Sequence, residues 1–417
     1  MHPDRRGHDA EGAWQVEAAR DPESHEPAGL SSDGRRDGGR IAQPPRRIGI
    51  VLPPGEGFGP AAVGAVGLLV QCLNAVPAPR WAPSVFGSPL TGDPFAAPRF
   101  RSVRLPGLPL LGRTVRYTIG LRRALRAYDP ALIEVHNRPA IARALAAGFP
   151  TTPVILFLHN DPRTMRGARS PAQRRDLLRR LGAVAVVSDR VGRQMTEGCP
   201  EVDTPLPVTM PNYIDLAAVP PPAPAAARDR LILFVGRIVP EKGVHRFIEG
   251  FSAATARLPG WRAAILGAPH LREDRHTSAF ERSVRHAAAA AGVTIEGYRP
   301  HGEVLAQMAR AAIVVVPSLW EEPFGLTALE AMACGAALIC SPRGNLRALT
   351  KGAALLVDPD DVAALADAMA ALGDDVGQRA ALGAAGVARA GGFGLADAAA
   401  RLDALRRAVL GDGGAAS

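Results

Sequence analysis

A chain of 417 residues, 47% of them hydrophobic, is too long for one compact core and long enough for two. Its net charge of +9 comes with only 5% aromatic residues, which argues against a nucleic-acid binder built from basic patches with interleaved aromatics. No apolar run reaches the roughly 18–20 residues of a membrane-spanning helix, the first residues lack the apolar centre of a secretory signal, and Cys72, Cys199, Cys334 and Cys340 show no metal-ligand spacing. These features predict a cytoplasmic protein with reduced, buried thiols.

In chain order, residues 1–45 are polar, Gly-rich and aperiodic, and read as a disordered tail. Order begins at "RRIGIVLPP", a short apolar strand running into a Gly-rich turn. Further apolar runs, "ALIEVHN", "PVILFLHND" and "VAVVSD", alternate with Arg/Ala/Leu stretches of helical character. This alternation predicts a parallel sheet with helices on both faces over residues 46–216. The Pro-rich stretch 217–230 reads as a semi-rigid linker. A second cycle over 231–392 offers five β-rich runs, "LILFVGR", "WRAAILGA", "VTIEGY", "AIVVVPS" and "AALICS". An amphipathic helix over 393–410, expected to pack back on the first domain, closes the chain before a short tail, 411–417. The expected architecture is α/β, two doubly wound Rossmann-like domains facing across a cleft.

Charge is divided unevenly between these parts. Residues 1–45 carry 6 arginines and 9 acids, whereas residues 46–222 carry 22 arginines and 11 acids. The excess positive charge therefore belongs to the first domain, and it suits an anionic acceptor or an anionic membrane surface. Between Arg163 and Arg180 stand seven arginines and one acid, Asp176, read either as a solvated face or as a dock for an anionic leaflet or a lipid-diphosphate acceptor.

In open parallel sheets ligands bind beyond the carboxyl ends of the strands, so the chemistry is sought in the βα loops. Two loops of the second domain stand out. "VGRIVPEKG", Val235 to Gly243, puts Arg237 and Lys242 before a helix start, where a cation opposes the helix dipole. A bound anion would relieve that opposition. Only Lys242 and Lys351 of the 49 basic residues are lysine, so the compact ammonium here reads as selected. "PSLWEEPFGLTALEAMACG" sets Glu322 and Glu330 eight apart, with Phe324, Gly325 and Leu326 leading into a helix whose free N–H groups form a phosphate cradle. Glu330 is placed to accept from a ribose diol, and Glu322 to reach hydroxyls of a sugar on the phosphates.

Gly236-Arg237-x4-Lys242-Gly243 followed by Glu322-x7-Glu330 resembles the signature of the retaining glycosyltransferases of family 4, which have the GT-B fold. The similarity covers about residues 48 to 410 and is strongest from 229 to 362. It implies that Arg237 and Lys242 bind the donor diphosphate, that Glu322 contacts the donor sugar and Glu330 the ribose, and that the Phe324–Leu326 backbone meets the phosphates. Tyr298 falls at the position whose backbone contacts the base. The Gly-rich loop Pro53 to Val66, with Gly57 and Gly59, resembles the loop facing donor phosphates and acceptor. The resemblance further implies a histidine touching the donor sugar, His159 in preference to His136; capping of a strand end is the other reading for each.

Two weaker patterns are set aside. Gly57-Phe58-Gly59-Pro60-Ala61-Ala62 loosely fits a dinucleotide fingerprint, but the second strand region, "WAPSVFGSPL", brings no acid for a ribose. Asp358-Pro359-Asp360-Asp361 looks like a metal-binding Asp-x-Asp, yet it precedes "VAALADAMAAL" and reads as a helix cap. The expectation is a retaining, metal-independent transferase with His159, Glu322, Arg237 and Lys242 as catalytic residues. No cofactor is expected; a nucleotide-diphosphate sugar is the co-substrate, and the acceptor is a sugar, a glycan or a lipid-linked group. Nucleic acid is not expected as a partner. A site at the inner face of the membrane, with the basic first domain against anionic lipid, accords with a role in cell-surface polysaccharide or glycolipid assembly. A non-catalytic nucleotide-sugar-binding protein and a same-fold epimerase remain the alternatives.

Overall fold

A computed structural model describes residues 44–60, 62–107, 110–199, 205–268 and 278–412. The expected N-terminal tail lies outside them except for its last two residues, as does most of the tail 411–417. Two parallel sheets form the frame. The first contains β1 (Arg46–Val51), β2 (Trp81–Gly87), β3 (Arg99–Ser102), β4 (Leu132–His136), β5 (Val154–Leu158), β6 (Ala183–Val186) and β7 (Val208–Thr209), in the order β3-β2-β1-β4-β5-β6-β7. The second contains β8 (Asp229–Val235), β9 (Arg262–Leu266), β10 (Val293–Gly297), β11 (Ala311–Val316), β12 (Ala337–Cys340) and β13 (Leu355–Leu356), in the order β10-β9-β8-β11-β12-β13. Both orders reverse beside their first strand, and such a switch point opens a crevice at the carboxyl ends of the central strands.

The central strands are near-continuous apolar runs because helices cover both of their faces. Ile48, Ile50, Leu132 and Ile155 are fully buried in one sheet, and Ile232, Leu233, Ile313 and Val314 in the other. β8 starts at Asp229, so the stretch expected as linker gives its last two residues to the second sheet. Cys334 and Cys340 are buried, while Cys72 and Cys199 are half-buried; all four are free thiols. Among the described residues no helix is long and apolar enough to cross a membrane.

The helices that bear on the cleft are α1 (Ala65–Ala75), α2 (Arg113–Tyr128), α3 (Val244–Ala254), α4 (His301–Arg310), α5 (Leu326–Ala333) and α6 (Leu395–Val409). Although α6 follows the second sheet in sequence, its Leu402 and Leu405 join the core of the first, with Ile48 and Leu132. Arg406 makes a two-pronged ion pair with Glu134 of β4, at 2.7 and 3.0 Å, with both side chains at most 3% exposed. Trp81 Nε1 also donates to Asp403 at 2.8 Å. Nearer the cleft the halves meet again: Ser188 Oγ donates to the Pro323 carbonyl at 2.7 Å, and Arg190 pairs with Glu321 at 2.7 Å.

Candidate active site

A cleft of about 430 Å³ lies where the carboxyl ends of the two sheets face each other. One wall is the turn into α1, Val63 to Val66, with His159, Asn160 and Asn212. The other is formed by Gly236, Arg237, Lys242, Ser318, Glu322 and the residues leading into α5. The structure thus brings together His159, Gly236, Arg237, Lys242, Glu322, Phe324, Gly325 and Leu326, which are far apart in sequence.

The two motif loops of the second domain are welded by backbone. The Glu241 carbonyl accepts from the Leu319 amide at 2.9 Å, the Trp320 amide at 3.0 Å and Ser318 Oγ at 3.3 Å. Gly243 makes this approach feasible: its φ is +69°, and a Cβ there would lie 1.8 Å from the Pro317 carbonyl oxygen. Lys242 Nζ consequently reaches Glu322 Oε1 at 2.5 Å, and Ser318 Oγ donates to the same oxygen at 2.7 Å. Glu322 is only 7% exposed, so these two donors meet the need of a buried carboxylate. Arg237, also on this wall, is exposed, and its guanidinium has no hydrogen-bond or ion-pair partner among the described residues.

The chain leaves Glu322 through Pro323 and Phe324 and enters α5 at Gly325, with φ +105°. No side chain caps α5 and no acid stands in its first turn, so its first amides face the cleft unpaired. A free helix end, an unpaired guanidinium and an ammonium on one wall are the parts of an anion site. Sequence reading missed what holds this loop: the Asn345 amide donates to the Glu322 carbonyl at 2.7 Å, Asn345 Nδ2 to the Phe324 carbonyl at 3.2 Å, and the Gly344 amide to Glu321 at 2.8 Å. Asn345 lies in a stretch without periodicity, so only the fold shows its role.

The remaining candidates sit differently. Glu330 Oε1 accepts from His301 Nε2 of α4 at 2.8 Å and does not line the cleft described above. This contact raises the pKa of His301. Tyr298 is 46% exposed just after β10, also outside that lining. Gly57 and Gly59 do not line the cleft: Phe58–Gly59 pairs with Ala62–Val63 in a small antiparallel ladder, and Val63 and the residues after it line the wall. Glu56 holds that loop against α1 by accepting from the Gly67 amide at 3.1 Å, and burial raises its pKa.

His136 and His159 end β4 and the neighbouring β5 but are not equivalent. His136 is 6% exposed, stacked on Phe157 at 4.8 Å between ring centroids, and does not line the cleft. His159 stands in front of it, and His136 Nδ1 and His159 Nε2 share a hydrogen bond of 3.0 Å. Asn137 Oδ1 accepts from the His159 amide at 2.8 Å. Burial pushes both imidazoles toward the neutral form, His159 to about 4 and His136 well below its ordinary value. Asp361, expected as a cap, accepts from the Ala364 amide at 2.9 Å at the start of the helix Val362–Asp374. Asp358 and Asp360 are engaged by Arg343.

Known proteins match this chain in two blocks. A family model described as Glycosyltransferase Family 4 matches residues 64–217, and one described as Glycosyl transferases group 1 matches residues 220–389. The D-inositol 3-phosphate glycosyltransferase of Kineococcus radiotolerans is 34% identical over 227 residues, 48% of this chain and 52% of that protein. The lipopolysaccharide core biosynthesis mannosyltransferase LpsB of Rhizobium meliloti is 31% identical over 231 residues, 51% of this chain and 61% of that protein. The matched part thus spans about half to three fifths of the length of these relatives. Among solved structures, HepE from Anabaena in complex with UDP and glucose superposes with a TM-score of 0.68 at 17% identity, covering 86% of this chain and 98% of that one. The fold is therefore GT-B.

Proposed function

We propose that this chain, a GT-B protein of the glycosyltransferase family 4 type, moves a sugar from a nucleotide-diphosphate sugar to a hydroxyl acceptor with retention of configuration. The observation that carries the reading is the convergence of Arg237, Lys242 and the uncapped start of α5 on one wall, with Glu322 fixed among them. The diphosphate lies against the three positive groups and the sugar points toward Glu322 and His159. Glu330 serves the ribose after giving up His301.

Retaining hydrolases place a carboxylate nucleophile against the anomeric carbon. Here Glu322 is tied to Lys242 and Ser318 and acts by orienting a hydroxyl. The acceptor oxygen attacks the anomeric carbon on the face the diphosphate leaves. The bond from that carbon to the phosphate oxygen breaks with its electron pair going to the oxygen, and the same oxygen takes the acceptor's proton. Arg237, Lys242 and the α5 amides stabilise the charge developing there, the part a divalent cation plays in other transferases. Asp358 and Asp360 are taken up by Arg343, in keeping with metal-independent transfer. The named relatives glycosylate inositol 3-phosphate and build a lipopolysaccharide core, which favours a polar or lipid-linked acceptor and a place at a membrane surface in glycolipid or polysaccharide assembly.

The test is thermal stabilisation by a panel of nucleoside diphosphates in EDTA, on wild type and Lys242→Ala. Stabilisation by UDP or GDP that survives EDTA and shrinks in the variant supports the donor site. Stabilisation by none, or only with metal, overturns it. Tight donor binding without transfer or donor hydrolysis leaves a binding protein.

A further inference from the structure

The carbonyls of Glu322, Pro323 and Phe324, which lead into α5, are all held, but not by the same domain. Asn345 takes the outer two from within the second domain, its amide bonding to the Glu322 carbonyl at 2.7 Å and its Nδ2 to that of Phe324 at 3.2 Å. The middle one, Pro323, is held from the first domain, where Ser188 Oγ donates to it at 2.7 Å. Ser188 is only 5% exposed, so this contact is largely shielded from water.

A carbonyl and the N–H that follows it belong to one planar unit and point in opposite directions across it. Fixing the Pro323 oxygen therefore fixes the direction of the Phe324 amide. That amide has no acceptor among the described residues, although Phe324 lines the cleft. The Phe324 ring is buried, edge-on to Phe393 at 5.8 Å between centroids, so what this residue offers the cleft is its main chain. It stands directly before the uncapped first turn of α5, where the free amides of an anion site begin.

Ser188 is firmly mounted for this task. The Val187 amide donates to the Leu158 carbonyl at 3.2 Å, so the strand end that bears Ser188 is tied to the one that bears His159. Ser188 Oγ also accepts from the Val191 amide at 3.3 Å, as the cap of the helix Asp189–Thr196. A hydroxyl has two lone pairs and one proton, and capping the helix leaves the proton for Pro323. The neighbouring link between the halves, Arg190 with Glu321, is of another kind. Its side chains are 33% and 56% exposed, and an ion pair so open to water contributes little.

We infer that Ser188 is a positioning residue for the donor: from the first domain it aims the Phe324 amide of the second at the diphosphate. The inference rests on the transferase reading for its ligand, and it makes the phosphate cradle a joint product of both domains. The test is UDP and GDP affinity by titration calorimetry in EDTA, with melting temperatures, for wild type, Ser188→Ala, Ser188→Gly, Ser188→Thr and Arg190→Gln. Ser188→Ala removes both the cap and the proton, Ser188→Gly removes the proton while glycine is tolerated as a helix cap, and Ser188→Thr keeps both. The alanine and glycine variants should weaken nucleotide binding alike, about three- to tenfold, although alanine melts lower. Ser188→Thr and Arg190→Gln should stay within about twofold of wild type. Affinity that follows melting temperature, with Ser188→Gly binding like wild type, reduces Ser188 to a helix cap and overturns the inference. An equal loss in Arg190→Gln also overturns it, because any loosening between the halves would then suffice. Wild type that binds neither nucleotide fails at the donor site itself and takes this inference with it, a result distinct from Ser188 variants that bind as wild type does.

Discussion

His136 Nδ1 lies 3.0 Å from His159 Nε2, so the histidines ending two neighbouring strands form one hydrogen-bonded pair. His136 is the inner member, stacked on Phe157, and His159 alone reaches the cleft. In this pair His136 is placed to orient His159, the member that faces the cleft.

Both imidazoles have folded pKa values below the ordinary 6.5, through burial first. A depressed folded pKa means that the stability is present above pH 6.5 and is lost as pH falls toward the folded value, about 4 for His159. Urea unfolding followed from pH 6.5 to 5, above most carboxylate titration, should show stability falling by up to about 1.4 kcal/mol per pH unit for each histidine. His136→Phe, which keeps a ring on Phe157, should flatten that slope. An unchanged slope refutes the assignment.

Lys242 and Glu322 should couple. Lys242→Ala leaves Glu322 with Ser318 as its side-chain donor, at a cost of about 1–3 kcal/mol in stability. It should also weaken nucleoside-diphosphate binding about tenfold or more. The double variant with Glu322→Ala should be less destabilised than the sum of the single variants by about 0.5–3 kcal/mol in a denaturant cycle.

Gly243→Ala tests the weld between the two loops. With φ +69° and a Cβ 1.8 Å from a backbone oxygen, alanine forces the Lys242 loop off the end of β11. A loss above about 2 kcal/mol, together with loss of nucleotide stabilisation, is expected. Gly292 has φ +68° with nothing within 4 Å of its Cβ position. Its alanine variant should cost only the left-handed strain, about 1–2 kcal/mol, and keep the binding.

Arg406→Leu leaves Glu134 charged and unpaired under α6, and should destabilise by about 3–5 kcal/mol in thermal or chemical unfolding. Arg406→Leu/Glu134→Leu should recover most of that loss, because the cost is that of a lone buried charge.

His301 titrates above 6.5 because Glu330 bonds to it. Its raised folded pKa adds stability below pH 6.5 that disappears as pH rises through the folded value. Proton NMR of His301 should report the raised pKa, its return toward 6.5 in Glu330→Gln, and a fall when saturating nucleoside diphosphate draws Glu330 to the ribose. A His301 pKa that ignores nucleotide removes Glu330 from the donor site.

Much of this protein follows from local pattern. The apolar strand runs, the Pro-rich boundary near residue 217 and the two loops of charged and glycine residues are periodicities and spacings within one stretch of chain. Such features determine which strands form and what lies at their carboxyl ends. Hence the meeting of Arg237, Lys242, Glu322 and Gly325 at the strand ends is legible in the sequence, and so is Asp361 as a cap. Tertiary structure decided what depends on pairs distant in sequence. It placed His136 behind His159, turned Glu330 to His301, bound the loop of Glu322 through Asn345 and supplied the Arg406–Glu134 pair that holds α6 on the first sheet. It also set Arg174 against backbone carbonyls and Arg163 and Arg180 against nearby acids. Charge and burial at a residue depend on which neighbours the fold delivers, and that information resides in no single segment.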